Sequence, residues 1–163
     1  MPYYMKRNDD LDKISEMLAK IGEKTEAVAK KALYEGAGVV ADEIQKNANA
    51  IPTAPFHYVK DGTRLPSPEE KEIVVNAGVG IAKFEGGGSE VNTSVGYKAS
   101  GYAILKNRLK PVPLIAASIN SGTSFMKKQP FFRKAANSGG KKATTAMKAV
   151  VETEFEAITK NKL

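Results

Sequence analysis

The side chains that most often carry out chemistry are sparse in this chain and badly spaced for it. Among 163 residues there is one histidine, His57, and no cysteine. His57 lies in a proline-rich stretch with no second imidazole and no thiolate, so it has no set of partners for a metal. No serine has a plausible His–Asp arrangement around it, because that lone histidine sits far from any supporting pattern. Carboxylates cluster at Glu69, Glu70 and Glu72 and again at Glu152, Glu154 and Glu156. Acids spaced in this way read as a solvated surface rather than as an acid/base pair. Three glycine-rich stretches invite a phosphate-binding reading, and each fails on spacing. "EGGGSE" is not followed by Gly-Lys-Ser/Thr. "SGGKKATT" has Lys142 where the hydroxyl belongs and Ala135 where the upstream glycine belongs. "GVGIAK" has Gly78 and Gly80 but lacks the third glycine of a dinucleotide fingerprint, and strand glycines more often mark a bulge or a close approach. No catalytic, cofactor-binding or metal-binding residue is assigned, and the expectation is a protein that is not an enzyme.

The remaining candidate is a docking feature. The stretch "NSGTSFMKKQPFFRKAA", Asn120 to Ala136, holds a Gly-Thr turn, a lysine pair, a proline and two adjacent phenylalanines, with no acid. Pro130 suits the first turn of a helix, where its missing N–H costs nothing. Phe131 and Phe132 then read as anchors of that helix. Gly122, Thr123, Lys127, Lys128 and Arg133 are left as candidates for contact with a partner.

Charge points the same way. The chain carries 25 basic and 18 acidic residues, a net charge of +7. From Lys98 to Lys148 there are eleven lysines and arginines and no acid. Such a surface suits an acidic partner or passing nucleic acid. Lysines beside a helix start can contact phosphates, but helix-turn-helix, RNP and zinc-finger patterns are missing. That leaves non-specific DNA association as the second function class.

These residues must be positioned by ordinary elements. A chain of this size and composition is expected to form one domain over 1–163, with a core large enough to need no metal or disulfide. Residues 8–50 read as helical: Asn8, Asp9 and Asp10 offer oxygens to a first turn, and Leu11, Ile14, Leu18, Ile21 and Val28 recur at helical steps. Leu33, Ala37, Val40 and Ile44 continue the stripe. Gly36 and Gly38 raise the expectation of a kink or of a close backbone approach. Residues 51–70 read as a Pro-rich loop. Residues 71–121 read as a β-rich middle: "EIVVNAGVGIAKFE" and "VNTSVGYK" form a hairpin, with Val91, Thr93, Val95 and Tyr97 on one face. "ASGYAILKNRLKPVP" and "VPLIAASINSGTS" are each open between strand and short helix. Residues 130–160 read as a C-terminal helical region with a weak point at Ser138, Gly139 and Gly140. The fold class is α+β, a long N-terminal helix and a C-terminal helix packed on a small, mainly antiparallel sheet. "MPYYMKRNDD" has no apolar run, so no signal peptide is expected, and no stretch is apolar enough to span a membrane.

In this order of elements the chain resembles the neck or tail-completion proteins of long-tailed bacteriophages, also labelled tail components or minor-tail Z-like proteins. The resemblance covers roughly residues 10 to 160, and its sharpest motif is Gly122, Thr123, Pro130 and Phe131, followed by Arg133. Two positions depart from the family pattern. Asn120 and Ser121 stand where an acid commonly precedes the Gly-Thr, and "DGTRLPSP" keeps only Gly62, Leu65 and Ser67 of a stretch expected before the first strand. The resemblance implies a structural virion protein of the head–tail junction of a phage or prophage. It implies assembly in the host cytoplasm, contacts with other neck and tail proteins, a homo-hexameric ring, possible contact with passing DNA, and no membrane.

Overall fold

The computed structural model describes residues 9–58, 63–87 and 90–160, and the side chains of its first helix from residue 24 onward. The Asn8 cap and the side chains of Leu11, Ile14, Leu18 and Ile21 lie outside the described residues.

Two long helices set the frame. Helix α1 runs Asp9–Asn49, 41 residues. At its C-terminal end the chain leaves the helix at Ala50 and enters the proline-rich stretch directly, which runs to Ser67 and not to residue 70. Neither Gly36 nor Gly38 breaks it. Gly36 instead brings α1 against the last helix, where a Cβ would sit 2.6 Å from the Met147 methyl carbon, while one on Gly38 would meet nothing. That last helix, α4 (Phe131–Lys160), is also unbroken through Ser138, Gly139 and Gly140. Gly139 is buried, and a Cβ there would press on Glu43 and Val40 of α1 at 3.3–3.8 Å. Glycine's propensity cost is outweighed here by the packing its missing side chain permits.

Polar ties reinforce this seam. Glu43 accepts from Ser138 Oγ at 2.8 Å and from the Lys142 ammonium, and Lys31 pairs with Glu154. The hydrogen bond from Lys142, then that from Ser138, holds the Glu43 carboxyl below its ordinary value of 4.5 despite its burial.

Between the long helices, two segments expected as strand or left open are helical. "EIVVNA" belongs to helix α2 (Pro68–Ala77). Its β-branched run is overruled by a strong start signal: Pro68 opens the first turn, and Ser67 and Glu70 form a reciprocal capping box. The run then pays its way as packing, with Val74 wholly buried and Ile73 and Val75 against the core. "VPLIAASINS" is helix α3 (Val112–Ser121), with Val112, Ile115, Ala116 and Ile119 buried at helical spacing. The β-rich middle therefore shrinks to residues 80–111.

Its described strands form three two-stranded antiparallel ladders. Strands β1 (Gly80–Ile81) and β4 (Val95–Gly96) pair, as do β2 (Glu85–Gly87) and β3 (Glu90–Asn92), which makes one interrupted hairpin. Val91, Thr93, Val95 and Tyr97 are all half-buried along it, as their alternation predicts. Strands β5 (Tyr102–Leu105) and β6 (Arg108–Pro111) form a second hairpin. Lys106 and Asn107 turn it with φ of 52° and 61°, the left-handed pair that matches strand twist in a two-residue loop. Its Leu105 is buried, whereas the cross-strand partners Ile104 and Leu109 are 66% and 69% exposed.

One core joins the pieces. Ile44 and Ala48 of α1, Ile51, Val74 of α2, Leu105 of β5, Ile115 and Ile119 of α3, Met126, and Phe131 and Ala135 of α4 form a single cluster. The architecture is α+β: the long helices pack along each other, α2, α3 and the β5–β6 hairpin contribute to the core beside Ile44 and Ala48, and the first hairpin reaches back along α1, where a Cβ on Gly87 would lie 4.0 Å from Glu26.

Candidate docking site

The site is built around two loops that depend on each other. The first, residues 63–67, presents Arg64. Its guanidinium donates to Glu70 in two parallel bonds, Nη1 to Oε2 at 2.8 Å and Nη2 to Oε1 at 3.0 Å. Both side chains are only 8% exposed. Glu70 Oε2 also accepts from the Ser67 amide at 2.8 Å, so the pair is satisfied by hydrogen bonds as well as by charge. Burial pushes the Glu70 carboxyl up, but the bonds from Arg64 and Ser67 outweigh it and leave it below 4.5.

The second loop is the Gly-Thr corner. Gly122 ends α3 with its amide bonded to Ser118 O at 2.9 Å and with φ of 77°. A Cβ there would stand 2.9 Å from the Lys128 amide and 3.0 Å from Met126 O, so both conformation and space require glycine. Thr123 and Met126 exchange backbone bonds, and Thr123 Oγ1 accepts from Phe125 N at 3.2 Å. Gln129 N donates to Ile119 O at 2.8 Å, and the Asn120 side chain accepts from Phe132 N at 3.2 Å. Asn120 thus caps α4 from across the corner, satisfying one of the amides a helix start leaves free. Pro130 lies just before the helix, and its carbonyl takes the first helical bond from Lys134.

The two loops are stitched together. Arg64 and Met126 form a parallel bridge, and Lys127 N donates to Arg64 O at 2.9 Å. Beside this seam opens a cleft of about 280 Å³. Leu105, Ile115 and Met126 line its depth, and the exposed Phe56, Tyr58, Leu114 and Phe125 line its mouth. The Tyr58 and Phe125 rings lie 6.2 Å apart, and Phe56 carries the Arg64 and Lys106 cations over its face. Burial lowers the Lys106 ammonium, against a smaller opposing effect of Glu70.

Several residues singled out from sequence meet here. Gly122, Thr123, Lys127 and Lys128 border one shallow depression, which shares Thr123 and Met126 with the cleft. Both lysines are exposed. Arg133 is exposed on the first turn of α4 and does not border that depression. Phe131 is 2% exposed in the core, while Phe132 is half-buried with its ring edge-on to Tyr97 at 5.9 Å. Sequence reasoning missed the Arg64–Glu70 pair, the Asn120 cap and the aromatic mouth. The capping box was written locally, as Ser67-Pro-Glu-Glu70, and Arg64 lies only six residues before Glu70; the Asn120 cap spans twelve residues, and the mouth joins Phe56 and Tyr58 to Leu114 and Phe125.

The described residues contain no group of three or more His, Cys, Asp or Glu able to hold a metal, and none of the described helices is long and apolar enough to cross a membrane. The arrangement offers apolar and cationic contacts.

Residues 12–107 match the family described as "Bacteriophage HK97-gp10, putative tail-component". The match spans more than half of the chain, and the chain belongs to that phage tail-component family. No curated protein and no solved structure matches the chain. The matched span runs from α1 through the turn of the β5–β6 hairpin and includes the Arg64 loop. The Gly-Thr and Pro-Phe stretch lies C-terminal to it and is joined to it by the Arg64–Met126 bridge.

Proposed function

We propose that this chain acts at the head–tail junction, completing the tail and joining it to the DNA-filled head. Family membership supports a structural role in the virion. The observation that carries the finer reading is the hydrogen-bonded Gly-Thr corner, which holds Lys127 and Lys128 exposed, with no ion pair among the described residues, beside an aromatic-lined cleft. A corner braced by a buried ion pair and a cross-loop bridge presents its lysines in a fixed geometry, which suits docking of a preformed partner. On this reading Gly122, Thr123, Lys127, Lys128 and Arg133 face other neck or tail proteins, and Pro130, Phe131 and Phe132 anchor α4. The protein works without catalysis or cofactor, in the virion after assembly in the host cell, as a homo-hexameric ring formed on its template.

The test is complementation in extracts that contain heads and tails but lack this protein. Wild-type protein restores joined particles, and Lys127→Glu/Lys128→Glu, folded by circular dichroism, does not. Full joining by the folded double variant would remove the corner from the interface.

A second reading, non-specific DNA association, is favoured by the acid-free stretch from Lys98 to Lys148, whose lysines and arginines are exposed apart from the half-buried Lys110. It predicts duplex-DNA binding that weakens steeply with salt. The junction reading predicts weak DNA binding and a specific protein partner.

A further inference from the structure

The cleft beside the Gly-Thr corner has a definite chemical character. Its depth is apolar and its mouth exposes three aromatic rings and Leu114. A monomer has no reason to leave Phe56, Tyr58, Phe125 and Leu114 uncovered around one concavity, and contiguous exposed apolar surface marks an interaction site. Its charge is one-sided. Among the described residues Glu70 is the only acid on its lining, and it is neutralised by Arg64. Lys110 lines the cleft, Lys106 stands over Phe56, and Lys127 and Lys128 border the adjoining depression. None of these four lysines has an ion-pair partner among the described residues.

From this we infer that the cleft receives a segment of another protein that carries a large apolar side chain flanked by carboxylates. The apolar side chain enters between Leu114 and Phe125 toward Met126, and the flanking carboxylates reach Lys110 on one side and Lys127 and Lys128 on the other. An occupant from a second copy fits less well. Its runs of an apolar residue between two acids, Asp10-Leu11-Asp12 and Glu154-Phe155-Glu156, are both wound into the long helices α1 and α4, and Glu154 is already paired with Lys31. The apolar lining separates this site from a purely phosphate-binding surface, which needs no aromatic mouth. The inference rests on the junction reading only for the identity of the partner as a phage protein.

The experiment is amide-resolved NMR titration of the full chain with a short synthetic peptide bearing a central phenylalanine between aspartates. The expected result is saturable shifts at Leu105, Lys110, Leu114, Ser118 and Phe125. A peptide with lysine for aspartate, or serine for phenylalanine, should bind about tenfold or more weakly. Leu114→Ala/Phe125→Ala, at two exposed positions, should weaken binding similarly with an unchanged unfolding midpoint. The inference is overturned if the cleft amides do not respond to the acidic peptide, or if the basic peptide binds equally well. It is also overturned if duplex DNA or raised protein concentration alone moves the same amides more strongly. Joining assays on the same variants separate the two ideas. Peptide binding lost in Leu114→Ala/Phe125→Ala with joining intact would fault the junction role of the site, not its chemistry. A silent cleft with joining lost in Lys127→Glu/Lys128→Glu would do the reverse.

Discussion

At the scale of single residues, the site end of the molecule depends on a few polar side chains. Asn120 holds the start of α4 by one side-chain bond to Phe132 N. Asn120→Ala should cost about 1 kcal/mol in urea unfolding, and Asn120→Asp should keep the cap and suit the positive helix end. Arg64 is held more tightly. Arg64→Ala leaves Glu70 buried without its counter-charge and should cost about 3–5 kcal/mol, loosening the Gly-Thr corner with it. The carboxyls of Glu70 and Glu43 are both held below 4.5 in the folded chain. Their stabilisation is therefore present above that value and is lost as pH falls through the lower folded values. Unfolding midpoints followed from neutral pH downward should drop across that range, and Glu70→Gln should flatten part of the drop. An unchanged acid limb in Glu70→Gln would show that the pair contributes little.

At the scale of elements, glycine has opposite meanings at different positions. Gly122 needs φ of 77° and has backbone within 3.0 Å of a would-be Cβ. Gly122→Ala should destabilise by more than about 1 kcal/mol. Gly38 sits in the interior of α1 with no atom within 4 Å of a would-be Cβ, so Gly38→Ala should stabilise by about 0.5–1 kcal/mol. Paired thermal melts check both, and a stabilised Gly122→Ala would contradict the corner geometry. The β5–β6 hairpin makes a similar contrast. Leu105 faces the core, while Ile104 and Leu109 face solvent. Ile104→Ser/Leu109→Ser should keep the unfolding free energy within about 0.5 kcal/mol per site, whereas Leu105→Ala should cost about 2–5 kcal/mol.

At the scale of the whole molecule, one apolar cluster draws on all four helices and on β5. We propose on that ground that the chain unfolds as one domain, and urea unfolding followed by circular dichroism and by tyrosine fluorescence should give coincident transitions. Two separated transitions would divide the helix pair from the short elements. The ring proposal is read from the mass in solution by light scattering, alone and with tail tubes; a chain that stays monomeric even on tails would refute it. The net charge of +7 bears on association rather than on fold.

The amino-acid sequence by itself determined the two long helices, a hairpin in the middle of the chain (though with its first strand begun too early, at Glu72) and the family, because these depend on periodicity and order along the chain. It also contained the start of α2 as Ser67-Pro-Glu-Glu70, a signal that the β-branched run Ile73, Val74, Val75 obscured. Only tertiary structure decided that Gly36 and Gly139 are points of helix contact and not breaks, since the same residue type signals either until its neighbour is known. Arg64 and Glu70 are six residues apart and their opposite charges were there to be read, whereas the reach of Asn120 to Phe132 and the convergence of Phe56, Tyr58, Leu114 and Phe125 on one cleft were out of local view. Such contacts are set by how the loops close over the core, and no local pattern in the chain encodes which distant residue will be there to meet them.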